Sequence, residues 1–136
     1  MVSSPLPISV DILREEDIII ARQRGREMAR ELGFGLVDQS RIATSISELT
    51  RNILRYAQQG TTVLRPLDHL GHRGIEIVCQ DRGPGIPDVQ AALEGQIASA
   101  RGLGIGLSGT RRLMDEMEIE SVPGQGTKVT IRKWLR

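Results

Sequence analysis

The chain has 136 residues, 39% apolar and 26% charged, with 18 basic and 17 acidic side chains and a formal net charge of +1. One domain fits in that length, and its charge balance argues against nucleic acid or an anionic membrane as a partner. Phe34, Tyr56 and Trp134 are the only aromatics, which leaves an aliphatic core and no base-stacking platform. In chain order, Ile8 to Leu13 alternates apolar and polar residues as a half-buried strand does. Glu15, Glu16 and Asp17 then open a long helix, acids at its start favouring the macrodipole. Ile18, Ile19, Ala21, Met28, Ala29 and Leu32 supply its apolar side, and Gly33 ends it. A second helix is predicted from about Val37 to Ala57, with Ile42, Ile46, Leu49, Ile53 and Ala57 forming one core-facing stripe.

Thr61 to Leu67 and Ile75 to Gln80 read as strands, with His69 and His72 solvated in the loop between them. Cys79 sits within the second strand and is expected to be a buried, inert thiol; one cysteine excludes an internal disulfide and a cysteine zinc site. Pro87 to Glu94 reads as a short helix, Gly95 to Arg101 as a mobile loop, and Ile105 to Glu116 as a third long helix. Met117 to Val122 and Thr127 to Trp134 close the chain as a hairpin around Pro123 to Gly126. This order implies an α+β two-layer sandwich, a mixed, mostly antiparallel sheet with helices on one face, over a single domain spanning 1–136. No window approaches the ~20 apolar residues of a membrane span. The N-terminus has no basic lead into an apolar run, so a cytoplasmic location is expected.

Three stretches carry candidate chemistry. On the second helix, Glu48 and Asn52 are four apart and project from one face at the margin of the apolar stripe. A carboxylate and an amide oxygen suit Mg²⁺, although Glu48 is equally able to pair with Arg51. Asp81 ends a strand and is followed by Arg82-Gly83-Pro84-Gly85. An acceptor-only carboxylate there suits an exocyclic amine such as that of adenine, while the glycines permit close approach; the same residues also make a tight turn. Gly102, Gly104 and Gly106 open the third helix, where backbone amides and the helix dipole favour phosphate. Gly104 to Gly109 formally fits a dinucleotide-binding GxGxxG, but it follows a polar loop rather than a strand and lacks a surrounding βαβ unit.

ExxxN on a helix, DxGxG after a strand and GxGxG opening a later helix, in that order, resemble the gyrase, histidine-kinase and MutL (GHKL) nucleotide fold. Gly124-Gln125-Gly126-Thr127 is similar to that superfamily's GxGT turn. The segments ARQRGREMARELGFGLVDQSRIATSISELTRNILRYA, QDRGPGIPD, GLGIGLSGTRRLMDE and KWLR further resemble RsbT-type switch kinases, with anti-sigma-factor kinases as close cousins. The resemblance implies ATP and Mg²⁺ as cofactors and transfer of the γ-phosphate to serine or threonine of STAS-domain proteins in a stressosome. It also implies binding and activation of a downstream phosphatase. The alternative is an anti-sigma factor that sequesters a sigma factor under nucleotide control. By the same resemblance, Asn52 would hold Mg²⁺, Glu48 would act as general base and Asp81 would contact adenine. Gly83 and Gly85 would shape the base pocket, Gly102, Gly104 and Gly106 would line the phosphates, and Thr127 would complete the adenine site. Arg101, beside the short lid, is either a phosphate clamp or simply solvated. No upstream helical hairpin carries a phosphoacceptor histidine, which argues against a sensor histidine kinase. The exposed faces of the first two helices are the expected substrate surfaces.

Overall fold

In the computed structural model, which describes residues 5–86 and 103–136, local chemistry sets the first helix boundaries. Helix α1 (Glu15–Leu32) starts where Asp17 Oδ2 accepts from the amides of Leu13 at 2.9 Å and Arg14 at 3.0 Å, a side chain reaching back over the helix start. It ends at Gly33, whose φ of +105° lets the Phe34 amide return to Ala29 O at 3.0 Å. Helix α2 (Leu36–Ala57) buries Ile42, Ile46, Leu49 and Ile53 as its stripe requires. On α1, Ile18, Ala21, Met28, Ala29 and Leu32 are buried, whereas Ile19 is about half exposed. Adjacent residues on a helix diverge by ~100°, so Ile18 and Ile19 do not share the core face. The two helices approach closely at Gly25, where a Cβ would overlap Ile46 Cδ1.

The strands are β1 (Ile8–Ile12), β2 (Gly60–His69), β3 (His72–Asp81), β4 (Glu116–Val122) and β5 (Gly126–Trp134), with helix α3 (Leu103–Leu113) between β3 and β4. They form one sheet in the order β1-β2-β3-β5-β4. Every described neighbour pair is antiparallel. β3 and β4 run the same way, but β5 lies between them, so the described residues contain no parallel pair where a mixed sheet was expected. Val10, Ile12, Leu64, Ile75, Ile77, Val129 and Ile131 face the helices and make the core with α1, α2 and α3.

Several boundaries depart from the sequence reading, and at two places the reason is visible. β2 and β3 continue to a two-residue turn, Leu70-Gly71, with φ of +54° and +85°, the handedness that a tight hairpin needs. His69 and His72 are therefore the last paired residues of that hairpin, still exposed, and His69 sits 6.5 Å from the Trp134 ring. Helix α3 stops at Leu113 rather than Glu116, because Asp115 N bonds to Arg132 O at 3.0 Å and Glu116 pairs with Arg132 in the sheet. On the face away from the helices, Arg65, Glu76, Arg132 and Glu116 lie in cross-strand register as a row of alternating charge. Short helix 87–94, the loop at 95–101 with Arg101, and Gly102 lie outside the described residues.

Candidate functional site

Sheet register brings the second motif to the last strand. Asp81, at the end of β3, is the Cα partner of Thr127 on β5. Its Oδ1 accepts from Gly83 N at 2.9 Å and from Thr127 N at 3.3 Å, so one carboxylate oxygen closes the turn and ties it to the neighbouring strand. Gly83 is confined: a Cβ there would lie 2.6 Å from Ala57 Cβ. Gly85 has φ +80°, and a Cβ would come within 2.7 Å of Val122 O, so backbone handedness and space both favour glycine. Pro84 O accepts from Gly124 N at 2.7 Å and Ser121 Oγ accepts from Ile86 N at 2.7 Å, which bolts this loop to the β4–β5 hairpin.

Across the cavity from these groups, α2 contributes Leu49, Asn52, Ile53 and Tyr56, and α3 contributes Leu107. Helices α2 and α3 come together at Gly106, where a Cβ would lie 3.2 Å from both Asn52 Nδ2 and Glu48 Oε2. Among the described residues, Asn52 Nδ2 is buried without a hydrogen-bond partner. An unmade bond from a buried N–H donor costs about 1–3 kcal/mol, so this nitrogen calls for an acceptor such as a phosphate oxygen. Glu48 Oε1 pairs with Arg51 at 3.0 Å on a partly exposed surface, the alternative left open by the sequence.

The cavity has a volume of about 190 Å³. Leu49, Ile53, Cys79, Ile86, Leu107 and Val129 give it apolar walls, and Asn52, Asp81 and Thr127 supply polar groups at separated points. Apolar walls with a few fixed polar atoms suit a flat heterocycle carrying a polar edge. Cys79 behaves as expected: burial pushes its thiol up to about 12, against a hydrogen bond with Thr62, so it is a wall and not a nucleophile.

Of the sequence candidates, Asn52, Asp81, Gly85 and Thr127 line this one cavity, and Glu48 and Gly106 adjoin Asn52. Gly83 sits behind the turn, Gly104 lies in the first turn of α3, and Gly102 is outside the described residues. Tyr56, Ile86, Leu107 and Ser121 were not singled out. Tyr56 follows Asn52 by one helical turn, a spacing that could have flagged it; Ser121 carried no local signal at all. No cluster of three His, Cys, Asp or Glu is present among the described residues. The donor set at Asn52 and Glu48 instead fits a cation whose shell is completed by phosphate oxygens and water.

Residues 13–133 match the family model of the histidine kinase-like ATPase domain. The serine/threonine-protein kinase RsbT of Bacillus subtilis is 50% identical over 127 residues, covering 93% of this chain and 96% of that one. The chain belongs to the RsbT serine/threonine-protein kinase family. An anti-sigma F factor of Caldanaerobacter subterraneus is 31% identical over 100 residues, 69% of this chain and 68% of its own. Among solved structures, the histidine kinase domain of the Erythrobacter litoralis blue-light activated kinase superposes with a TM-score of 0.57 at 20% identity. That match covers 88% of this chain and 59% of the other, and it shows the shared fold. As an RsbT-family kinase with an ATPase-type domain, the chain uses ATP. No helix among the described residues is long and apolar enough to cross a membrane.

Proposed function

We propose that this kinase transfers the γ-phosphate of Mg-ATP to a serine or threonine of a STAS-domain partner, and that its release allows it to bind and activate a downstream phosphatase. The observation that carries the reading is the meeting of Asn52, Asp81 and Thr127, from three distant segments, on one apolar cavity. Asp81 uses Oδ1 for the two backbone amides and offers its other oxygen to the exocyclic amine of adenine. Thr127 completes that polar edge, with Gly83 and Gly85 keeping the turn tight against the base. Gly104 and Gly106, near the start of α3, line the phosphates, where amides and the helix dipole favour negative charge, and Gly102 is assigned to them from the GxGxG motif alone.

Asn52 would hold Mg²⁺ through its amide oxygen, and the cation when bound would neutralise charge on the phosphates. Glu48 accepts the proton of the incoming hydroxyl once its exposed pair with Arg51 gives way, a pair worth little in water. The groove between α1 and α2, with Ile18, Ile19 and Leu54 rimmed by Arg22, Arg51 and Arg55 against the acid Glu15, supports the approach of a partner segment that is apolar and acidic.

The test is transfer of labelled γ-phosphate from Mg-ATP to STAS-domain proteins of the same genome, with Asn52→Ala run alongside. Label on serine or threonine, lost in the variant, is the expected result. Full transfer by Asn52→Ala refutes the site. Absence of transfer combined with stable capture of a sigma factor replaces the switch-kinase reading with that of an anti-sigma factor, as the 31%-identical relative is named.

A further inference from the structure

Ser121 stands on the edge strand β4, outside every motif, yet its hydroxyl joins both loops that border the cavity. It accepts from Ile86 N at 2.7 Å, lies 3.0 Å from Thr127 Oγ1 and lies 3.2 Å from Gly126 O. A serine hydroxyl has one proton to give. If that proton goes to Gly126 O, the Ser121–Thr127 contact needs Thr127 as its donor, and Thr127 turns only lone pairs to the cavity. If it goes to Thr127 Oγ1, the shorter of the two contacts, Thr127 keeps its own proton for a ligand.

Thr127 and Asp81 are register partners and both line the cavity. Asp81, when ionised, only accepts. With Thr127 set as a donor, the two present an acceptor beside a donor. A purine with a 6-amino group offers the complement, an amine next to an unprotonated ring nitrogen. A 6-oxo purine offers the reverse, a carbonyl next to a ring N–H.

We propose that Ser121 is a positioning residue that holds Thr127 as a hydrogen-bond donor and thereby sharpens selection of 6-amino over 6-oxo purine nucleotides. The proposal rests on the ATP-site reading above. Ser121 has a second, purely structural task, as the acceptor for Ile86 N, and the two tasks separate in one comparison. Loosening the loop weakens all purine nucleotides alike. Freeing the Thr127 hydroxyl weakens ATP and leaves inosine triphosphate (ITP) able to donate to it.

The experiment measures Kd for ATP and for ITP by calorimetry on wild type, Ser121→Ala, Ser121→Thr, Thr127→Val and the Ser121→Ala/Thr127→Val double variant, with melting curves for each. Loss of one neutral hydrogen bond corresponds to roughly three- to tenfold in affinity. Ser121→Ala is therefore expected to lower the ATP-over-ITP preference by about that factor. Ser121→Thr restores it, and the double variant discriminates no less than Thr127→Val alone, because the two residues act through one hydroxyl. An equal loss for ATP and ITP in Ser121→Ala, or an additive further loss in the double variant, overturns the positioning role. Should Ser121→Ala fail to fold, a preference in Ser121→Thr unlike wild type overturns it as well. Wild type that binds neither nucleotide instead refutes the ATP-site reading itself.

Discussion

Replacing Asp81 by asparagine separates the carboxylate's structural role from its role toward a ligand. An asparagine keeps a carbonyl oxygen where Oδ1 accepts from the Gly83 amide at 2.9 Å and the Thr127 amide at 3.3 Å. Those two donors also fix its orientation, since a flipped amide would set its NH₂ against both of them. The variant should lose less than about 1 kcal/mol of stability. Its other end changes from an acceptor to a donor, however, and on the proposed reading that end faces the amine of adenine. A hydrogen bond to a charged group contributes about 1.5–3 kcal/mol, or roughly 10- to 150-fold in Kd. Asp81→Ala removes the acceptor from both amides and should cost about 1–3 kcal/mol of stability as well. In a chain of 136 residues, each 1 kcal/mol shifts Tm by roughly 4 °C. Calorimetric titration with ATP and thermal melts of the three proteins provide the readout. Wild-type affinity in Asp81→Asn would refute the adenine contact, and a melt as low as that of Asp81→Ala would refute the account of the turn.

Other consequences concern packing and charge. Gly25→Ala gains about 1 kcal/mol of helix propensity but drives a methyl into Ile46 Cδ1 in a closed core, for a net loss of about 1 kcal/mol. With Ile46→Val added, urea unfolding should show the pair at least about 1 kcal/mol better than additive; strict additivity would deny the close approach. Leu70→Asn should raise stability by about 1 kcal/mol, because Leu70 is 89% exposed and holds φ +54°, a backbone region asparagine tolerates and leucine does not. A lower melting temperature would count against that strain. Burial raises the Asp115 carboxyl, but the Trp134 amide, the Arg136 guanidinium and the Lys133 ammonium outweigh it and hold it below the usual carboxylate range. A depressed carboxyl contributes stability above its unfolded pKa of about 3.9, and that contribution is lost as pH falls through the folded value. Asp115→Asn should therefore flatten the acid limb of Tm against pH below about 4, and an unchanged limb would remove Asp115 from the account.

The sequence alone determined whatever short-range chemistry decides. The acids that start α1, the glycine that reverses the chain at Gly33, the α2 stripe of Ile42, Ile46, Leu49 and Ile53, and the turn of Asp81 with Gly83 are settled within a few residues of chain. The motifs were legible for the same reason, because ExxxN and DxGxG are each defined by one turn or one loop.

Which of those pieces meet depends on long-range register and packing. Asp81 and Thr127 are 46 residues apart and become neighbours through the β3–β5 register. Ser121 gains its position only because β4 pairs with β5 as a hairpin beside the Asp81 loop. Glu76 lies on the sheet face away from the helices, yet it is 5% exposed because Arg65 and Arg132 flank it on adjacent strands. Lys133, three residues from the chain's last residue, is buried, its Nζ donating to Leu113 O at the end of α3 at 2.8 Å. In each case the deciding partner lies on another element. Local preference sets the conformation of a segment, but burial and hydrogen bonding at a site depend on groups that long-range register alone brings together.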